Sequence, residues 1–405
     1  MTSTSFVQES LSAFRRGAVN LIEEQELVRK LERVREKPGG LRVKLGLDPS
    51  SPDLHFGHAV LLTKLGDLQE LGHTIVLIVG DATAMVGDPS GRNKLRPQLS
   101  REEVNKNLVT YTEQAGLVLD MARVEVRRNS EWFDALRFED LLRLLGRRTV
   151  AQTLAREDFQ KRLNEDAPIG LHELVYPVMQ GWDSVQVRAD VELGGTDQLF
   201  NLLVGRDLQM QEKQEPQVVL TTPLINGLDG RKMSKSYGNA IGLTDPPDEI
   251  FGKTMSIVDE AMPTWFELLT RLSEAERGAL LGGHPREAKA RLAWELVARL
   301  HGRERADHAR AEFDRRFVRK ELPDDIPVQA WPLGEAQAEL PVLLRSLGLA
   351  TSNSDARRKI EGGGVRFNGA VVKEPHTVIR SPEQDNLEEH LIQVGKRHFV
   401  RVRPK

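Results

Sequence analysis

Apolar positions follow two different periods in the first half of the chain. Continuous apolar runs, such as Thr74-Ile75-Val76-Leu77-Ile78-Val79, predict strands that are buried on both faces. Between such runs, apolar residues recur every three to four positions, as in the stretch from Trp132 to Leu145, which predicts helices. The alternation up to about residue 225 therefore predicts an α/β fold with a Rossmann-like, doubly wound parallel sheet.

The pattern changes after Pro246-Pro247. Strand signals vanish from there to about Leu322, and the Arg- and Ala-rich stretch from Ala288 to Phe317 predicts one helix. A proline-rich stretch follows, which favours an extended linker over a packed segment. The predicted boundaries are 1–245 for the α/β domain, 246–322 for an α-helical domain, 323–338 for the linker and 339–405 for a C-terminal domain.

The C-terminal domain carries its own signals for a small α+β fold. A helix is predicted over Leu340 to Leu347, and Val365-Arg366-Phe367 leads into Asn368-Gly369, the dipeptide typical of a tight hairpin turn. Residues 339–405 contain 12 Lys and Arg against 8 Asp and Glu, a net charge of +4, whereas the remainder carries −7. This asymmetry indicates a local site for RNA phosphates, at the predicted helix end formed by Arg357, Arg358 and Lys359. A solvated basic helix end is the alternative interpretation.

Composition narrows the protein class. At 405 residues the chain suggests two or three domains, and its net charge of −3 excludes a globally basic nucleic-acid binder. The absence of cysteine excludes disulfides, thiolate chemistry and cysteine-based zinc sites. No apolar stretch is long enough to span a membrane, and no signal-peptide pattern opens the chain, so we expect a soluble, cytoplasmic protein.

Two short segments suggest a phosphate-binding site. His55-Phe56-Gly57-His58 follows the apolar run Val43 to Leu47 and precedes a helical apolar pattern that Gly72 closes, so strand, loop and helix are predicted in that order. Phosphates placed there would meet free backbone amides and the positive end of the helix dipole. The second segment, Lys232-Met233-Ser234-Lys235-Ser236, predicts a mobile loop whose two lysines could close over a triphosphate. Either segment alone is as well explained by an ordinary turn, a metal-ligand pair or a solvated loop.

Taken together, these segments resemble the two nucleotide motifs of class I aminoacyl-tRNA synthetases, and the whole chain resembles the bacterial-type tyrosyl-tRNA synthetases. Gly87-Asp88-Pro89-Ser90-Gly91-Arg92 and Gly194-Gly195-Thr196-Asp197-Gln198 are similar to two further motifs of that family. Tyr176, Gln180 and Asp183 are spaced to share one helix face, as in the family's amino-acid pocket. The C-terminal domain resembles an RNA-binding module named for a small-subunit ribosomal protein, with Phe367 in place of a valine.

The resemblance implies roles for these residues. ATP would be bound by Ser50, His55, Gly57, His58, Asp197, Lys232, Met233, Lys235 and Ser236. Tyrosine would be bound by Asp88, Tyr176, Gln180, Asp183 and Gln198, with Asp183 accepting a hydrogen bond from the phenol. The catalytic groups would be His55, His58, Lys232 and Lys235, acting by charge stabilisation. One position departs from the pattern, because Lys44 stands where many members carry a tyrosine that also binds the substrate hydroxyl.

The implied reaction has two steps: L-tyrosine and ATP give tyrosyl-adenylate and pyrophosphate, and tyrosine then passes to the 3′ end of its cognate tRNA. Magnesium would arrive with the nucleotide, no protein metal site is evident in the sequence, and a homodimer through the α/β domain is implied. Three alternatives stay open at this point: a tryptophanyl-tRNA synthetase, a small-molecule nucleotidyltransferase, and a non-catalytic RNA-binding protein on a retained synthetase scaffold.

Overall fold

A computed structural model describes residues 3–49, 53–90, 100–317, 326–395 and 398–404. The chain forms two compact units, Met1–Phe313 and Asp314–Lys405. Each unit has its own hydrophobic core.

The elements of the first part of the chain are as follows. The strands are β1 (Asn20–Ile22), β2 (Arg42–Leu47), β3 (Thr74–Val79), β4 (Val124–Arg128), β5 (Val191–Gly195) and β6 (Val218–Thr222). The helices are α1 (Ser3–Arg15), α2 (Glu24–Val34), α3 (Phe56–Glu70), α4 (Asp81–Val86), α5 (Arg101–Ala115), α6 (Ser130–Phe133), α7 (Phe138–Leu145), α8 (Val150–Leu154), α9 (Glu157–Asn164), α10 (Leu171–Val187), α11 (Leu199–Gln211), α12 (Pro247–Thr254), α13 (Met262–Leu269), α14 (Glu274–Leu281), α15 (Pro285–His301) and α16 (Arg303–Phe317).

The second unit is smaller. Its strands are β7 (Val328–Ala330), β8 (Gln337–Glu339), β9 (Val365–Phe367), β10 (Ala370–Val372), β11 (Val378–Arg380), β12 (His390–Val394) and β13 (His398–Arg403). Its helices are α17 (Leu340–Ser346) and α18 (Asn353–Glu361).

The first unit is built on a six-stranded sheet in the order β1-β6-β5-β2-β3-β4. All neighbouring strands are parallel except β1, which pairs antiparallel with β6. The chain builds outward from β2 through β3 to β4 and then returns to the other side for β5 and β6. In such sheets ligands bind beyond the carboxyl ends of the strands, at the point where the strand order reverses. The predicted fold class is confirmed, and the topology points to the crevice beyond β2 and β5.

The predicted succession of strand, loop and helix around the histidine segment is also confirmed. Strand β2 leads through His55 into α3, and Gly72 follows the helix with φ of +93°. Side chains of α3 then contact the helices that follow the sheet, since the ring centroids of Phe56 and Trp265 lie 6.1 Å apart in a stacked arrangement. Trp265 and its neighbour Phe266 are fully buried in the same core as the sheet. The helices α12 to α15 thus share a core with the sheet.

Two stretches that the sequence predicts as single helices are each divided into two helices in the structure. The stretch Ala288 to Phe317 contains two helices, because Gly302 between α15 and α16 has φ of 88° and ψ of 160°, a conformation that is nearly restricted to glycine. The stretch Trp132 to Leu145 is divided between α6 and α7. Arg137, directly before α7, has extended backbone angles and so interrupts the helical hydrogen bonding. Apolar periodicity alone did not reveal either break.

The second unit contains a five-stranded sheet in the order β10-β9-β12-β13-β7 and a two-stranded pair of β8 and β11. The predicted hairpin is confirmed between β9 and β10. Asn368 and Gly369 form its turn with φ of 48° and 85°, the positive values that a two-residue type I′ turn requires. Strand β7, which lies within the segment predicted as a linker, pairs in parallel with β13 and is followed by the buried Trp331. Residues 328–331 are therefore part of the folded unit.

Among the described residues no helix is both long and apolar enough to cross a membrane. Within the same ranges, no group of three or more His, Cys, Asp or Glu side chains is arranged to hold a metal ion.

Candidate active site

A cavity of about 990 Å³ lies beyond the carboxyl ends of the parallel strands. It gathers residues that are far apart in the sequence, from the histidine segment, the lysine loop and helix α10. The predicted site residues that line it are His55, Gly57, His58, Asp88, Tyr176, Gln180, Asp183, Asp197, Gln198, Lys232, Met233 and Lys235. Ser50 lies outside the described residues, as does the side chain of Ser236. Arg357, Arg358 and Lys359 lie on α18 of the second unit.

The two histidines cap the first turn of α3. His55 Nδ1 accepts the backbone N–H of Gly57 at 3.1 Å, and His58 Nδ1 accepts the backbone N–H of His55 at 3.2 Å. Their rings lie 4.1 Å apart. Because each Nδ1 accepts a hydrogen bond, the proton of each neutral ring is on Nε2, where it is available to donate. Gly57 makes the cap possible, since a Cβ there would lie 2.7 Å from His55 Cε1.

These rings are uncharged near neutral pH. Burial is the largest cause that lowers the pKa of His55 to about 3, and the neighbouring His58, Lys235 and Lys232 lower it further, because each disfavours a second positive charge beside it. Burial, with the charge of Lys235 next, lowers the pKa of His58 to about 4. The histidines therefore offer hydrogen-bond donors to the cavity without a net charge.

The lysine loop is a defined structure. Asn239 holds it from behind: its Oδ1 accepts the N–H of Ser234 at 2.8 Å, and its Nδ2 donates to Lys232 O at 3.1 Å and to Asp229 Oδ1 at 2.6 Å. Met233, at the centre of the loop, is buried in the core of the unit. The Met233 side chain thus anchors the loop, while Lys232 and Lys235 on either side of it face the cavity.

Both cavity lysines are paired with carboxylates. Lys232 Nζ lies 2.9 Å from Asp197 Oδ2, and Lys235 Nζ lies 2.7 Å from Asp53 Oδ2. All four side chains are partly exposed, so an incoming anion can compete for the ammonium groups. Together with the neutral histidines, the lysines supply the cationic wall of the cavity.

Helix α10 places three predicted residues on the opposite wall. Tyr176 donates its hydroxyl to Asp48 Oδ2 at 2.8 Å, and burial beside Asp48 and Asp88 raises the pKa of this phenol well above its usual value. The carbonyl oxygen of the Gln180 side chain accepts Asn201 Nδ2 at 3.0 Å. The predicted shared face of the helix is therefore confirmed, with Tyr176 already bound to a carboxylate.

Asp183 is the least exposed of these three side chains. Its Oδ1 accepts Trp132 Nε1 at 3.0 Å, and its Oδ2 accepts Asn129 Nδ2 at 3.4 Å. Burial raises the pKa of Asp183 to about 7, against the opposing effects of the Lys44 charge and of these two hydrogen bonds. Both carboxylate oxygens keep lone pairs that can accept a hydroxyl group from a ligand in the cavity.

Asp88 and Gln198 meet at the remaining side of the cavity. Gln198 Nε2 donates to Asp88 Oδ2 at 2.9 Å and to Ser90 Oγ at 3.0 Å. Arg156, which is buried over the ring of Phe159, lies 3.6 Å from Asp88 Oδ1. This carboxylate is thereby oriented from two sides and can accept a cationic group.

Sequence reasoning missed several of these partners, namely Asp48, Asn129, Trp132, Arg156 and Asn201. A usable signal existed for two of them, because Asp48 and Asn129 each follow directly after the carboxyl end of a parallel strand, β2 or β4. The other three reach the site from helices or helix ends, and nothing in their local sequence marks them.

The predicted RNA-binding residues differ in their surroundings. Arg357 and Arg358 are exposed on α18. Lys359 donates to Asp355 Oδ2 at 2.8 Å and to Leu349 O at 3.2 Å, and the Lys359 hydrogen bond is the largest cause that lowers the pKa of Asp355 to about 2. Arg358 Nη2 also lies 3.8 Å from Asp355 Oδ1, but both arginines stay exposed to phosphates, whereas the hydrogen bonds of Lys359 stabilise the fold of the second unit.

Comparison with known proteins identifies the family of the chain. Residues 36–318 match the family model described as tRNA synthetases class I (W and Y). The tyrosine–tRNA ligase of Bordetella avium is 48% identical over 98% of this chain and 97% of its own length. That of Burkholderia pseudomallei strain 1710b is 48% identical over 98% of this chain and 96% of its own length. The crystal structure of the tyrosyl-tRNA synthetase of Archaeoglobus fulgidus with L-tyrosine is 26% identical with a TM-score of 0.60, covering 75% of this chain and 99% of that chain.

Acidification is expected to destabilise the fold through its buried imidazoles. His73, outside the cavity, accepts the N–H of Leu41 at 3.1 Å, and burial lowers its pKa from 6.5 to about 4. A histidine whose pKa is lowered on folding is protonated first in the unfolded chain, so its contribution to stability is present above pH 6.5 and is lost as the pH falls. For His73 alone the loss between pH 8 and pH 5 is about 2 kcal/mol.

The measurement is urea unfolding at these two pH values for the wild type and for His73→Gln, which retains an acceptor for Leu41. The comparison is needed because Asp183, with its raised pKa, acts in the opposite direction. Between pH 8 and pH 5, the free energy of unfolding of the variant should fall by about 2 kcal/mol less than that of the wild type. Equal losses in both proteins would contradict the buried neutral state of His73.

Proposed function

This chain belongs to the class I tRNA synthetases for tryptophan and tyrosine, and from that premise we propose that its cavity activates L-tyrosine with ATP for transfer to tRNA. The chain is a tyrosine–tRNA ligase. The observation that carries the choice of amino acid is Asp183, a buried carboxylate that lines the cavity and has lone pairs left for a phenolic hydroxyl. An indole, which offers a single N–H and a larger ring system, is not favoured.

Tyrosine lies with its phenol at Asp183 and its ammonium group toward Asp88 and the hydroxyl of Tyr176. The tyrosine substrate spans the cavity from Asp183 to Asp88. Gln180 and Gln198 provide further polar contacts to it. Asp88 is oriented for this purpose by Gln198 and Arg156. Positioning of this kind holds the carboxylate of tyrosine free for reaction.

ATP enters as its magnesium complex, with phosphate oxygens supplying most of the metal ligands. Its triphosphate lies between the first turn of α3 and the lysine loop, while Asp197 binds the ribose. Lys232 must then leave Asp197, with which it is paired in this structure.

In the first step a tyrosine carboxylate oxygen attacks the α-phosphorus, a new P–O bond forms, and the bond to the pyrophosphate oxygen breaks. Negative charge accumulates on the departing pyrophosphate. Lys232 and Lys235 neutralise it, and the Nε2–H groups of His55 and His58 donate to it, so the site binds the transition state better than ATP. In the second step a terminal ribose hydroxyl of tRNA attacks the acyl carbon, and AMP leaves.

Pyrophosphate exchange into ATP should depend on L-tyrosine and discriminate strongly against L-phenylalanine. With phenylalanine in the cavity, Asp183 would keep a buried oxygen without its partner, which disfavours the analogue by orders of magnitude; this enzyme family is itself the established example of that rule. Asp183→Asn should weaken tyrosine binding far more than ATP binding. Exchange of equal rate with phenylalanine or tryptophan in the wild type would overturn the assignment of the substrate.

Lys235→Ala should lower the rate of adenylate formation while tyrosine affinity stays nearly unchanged. Loss of one charged donor to a transition state costs roughly 3 kcal/mol, about 10²-fold in rate. Arg231→Ala is the matched control, because Arg231 belongs to the same loop but pairs with Asp229 outside the cavity. Rapid-quench kinetics should separate the two variants. A Lys235 variant that fails mainly in tyrosine binding would contradict the role given to the loop.

The second unit is proposed to bind tRNA through the exposed arginines of α18. A chain ending at Phe317 keeps every proposed residue of the cavity, so it should still exchange pyrophosphate but charge tRNA poorly. In the full chain, replacing Arg357 and Arg358 by Ala should weaken tRNA binding. The slope of log affinity against log salt should also become shallower, by about 1 for each phosphate that the variant no longer neutralises.

Lys359→Ala is the control for this experiment. Since Lys359 is tied to Asp355 and Leu349, its loss should lower the thermal stability of the second unit with a smaller effect on the salt slope. If the truncated chain aminoacylates tRNA at the full rate and the salt slope of tRNA binding is unchanged, the second unit does not bind tRNA as proposed.

A homodimer is also proposed. Around α7, α8 and the start of α10, large apolar side chains are exposed, with exposed fractions of 70% for Phe138, 63% for Val150 and 83% for Leu171. Large apolar side chains that are exposed together in one region indicate an interaction surface, whereas single ones do not. Sedimentation velocity should show a dimer for the wild type and a shift toward monomer for Phe138→Glu. Exposed Phe317→Glu is the control for added charge, and a monomeric wild type would refute the proposal.

A further inference from the structure

Two charged side chains lie inside the sheet directly beneath the amino-acid end of the cavity. Lys44 in β2 and Glu192 in β5 are both fully buried, and Lys44 Nζ lies 2.8 Å from Glu192 Oε1. Taking two charges out of water is costly, and an ion pair in this position is seldom the most stable choice for a core. Its presence therefore calls for an explanation other than the stability of the fold.

The pair is bonded to the helix that carries the amino-acid pocket. Lys44 donates to Gln180 O at 3.0 Å and to Ser184 Oγ at 2.8 Å, so all three ammonium hydrogens have acceptors. Ser184 in turn donates to Glu192 Oε2 at 2.9 Å. Gln180 and Ser184 lie three residues before and one residue after Asp183, on the same turns of α10. The ion pair thus fixes the part of the helix from which Asp183 projects.

On the basis of the proposed function, we propose that Lys44 and Glu192 are positioning residues for tyrosine specificity: they hold α10 so that Asp183 meets the substrate hydroxyl as a carboxylate. Lys44 does not itself replace the tyrosine that many family members carry at this position, since its ammonium group points to α10 and β5. Its contribution to hydroxyl recognition is made through Asp183.

The electrostatics act in the same direction. Asp183 is faced by Lys44 and Glu192 from the sheet, by Tyr176 from its own helix, and by the neutral Asn129 and Trp132 from the end of β4 and from α6. Of the charged groups, Lys44 has the larger effect and lowers the pKa of Asp183, while Glu192 raises it to a lesser extent. Removing Lys44 leaves Asp183 protonated over a wider pH range.

The test uses Lys44→Met, which keeps the length of the side chain and removes its charge. The KM for tyrosine in pyrophosphate exchange is measured from pH 6 to pH 9, beside the KM for phenylalanine and for ATP. Because the pKa of Asp183 starts at about 7, we expect the pH below which the tyrosine KM rises to move up by about one unit, which raises the KM at pH 7 about fivefold. The KM values for phenylalanine and ATP should not change, so discrimination between the two amino acids falls.

Lys30→Met is the matched control. Lys30 is also a buried lysine, 3.7 Å from an oxygen of Asp190, but it donates to a backbone carbonyl away from the cavity. Its loss should lower thermal stability and leave the pH profile of the tyrosine KM unchanged. A Lys44→Met protein whose profile equals that of the wild type, or which loses tyrosine and phenylalanine equally, would overturn the proposal.

If Lys44→Met does not fold, the double variant Lys44→Met/Glu192→Met carries the test, because replacing both charges by apolar groups of similar volume is often tolerated. This variant should fold and still show the displaced pH profile. A normal tyrosine profile in the folded double variant would mean that the pair serves the fold alone. Failure of the proposed function is distinguishable, since the wild type itself would then show no tyrosine-dependent exchange.

Discussion

The constraint on which this structure depends is the burial of a parallel sheet on both faces. Strands β5 and β6 are buried at every position, so polar side chains are largely displaced to the ends of the strands. At the carboxyl ends, Asp48 and Asp197 line one crevice, and Asn129 donates to Asp183 in its wall, although the three are distant in sequence. The site is in this sense a consequence of the sheet, because the carboxyl ends of its parallel strands all meet at one edge.

The buried polar groups around the cavity of the first unit are hydrogen-bonded to one another in networks. Trp132 and Asn129 donate to Asp183, Tyr176 donates to Asp48, and Gln198 donates to Asp88. Such networks resist rearrangement, since moving one member leaves another buried group without its partner. The cavity therefore combines a rigid wall on α10 with a wall at the lysine loop whose contacts are partly exposed and exchangeable.

Much of this arrangement could be predicted from local signals. The apolar run of β3, the glycine after α3 and the Asn-Gly turn of the second unit each depend on a few neighbouring residues, and each was placed correctly. The break at Gly302 was missed because a single glycine inside a helical pattern is usually tolerated. The partners of Asp183 and the direction of the Lys44 side chain could not be predicted, because they depend on which strands and helices are adjacent in space.

The pairing of both loop lysines with carboxylates has a consequence for which anions the cavity retains. Binding here is an exchange of partners, so the gain is only the difference between a phosphate and the carboxylate that it displaces. A small anion that reaches one ammonium group replaces one favourable contact by another of similar strength. A chain of several phosphates can reach Lys232 and Lys235 at once and also accept from the Nε2–H groups of His55 and His58. On the proposed placement of the triphosphate, we expect the loop to sort anions by the number and spacing of their charges, with a polyphosphate retained where inorganic phosphate or a monophosphate is released.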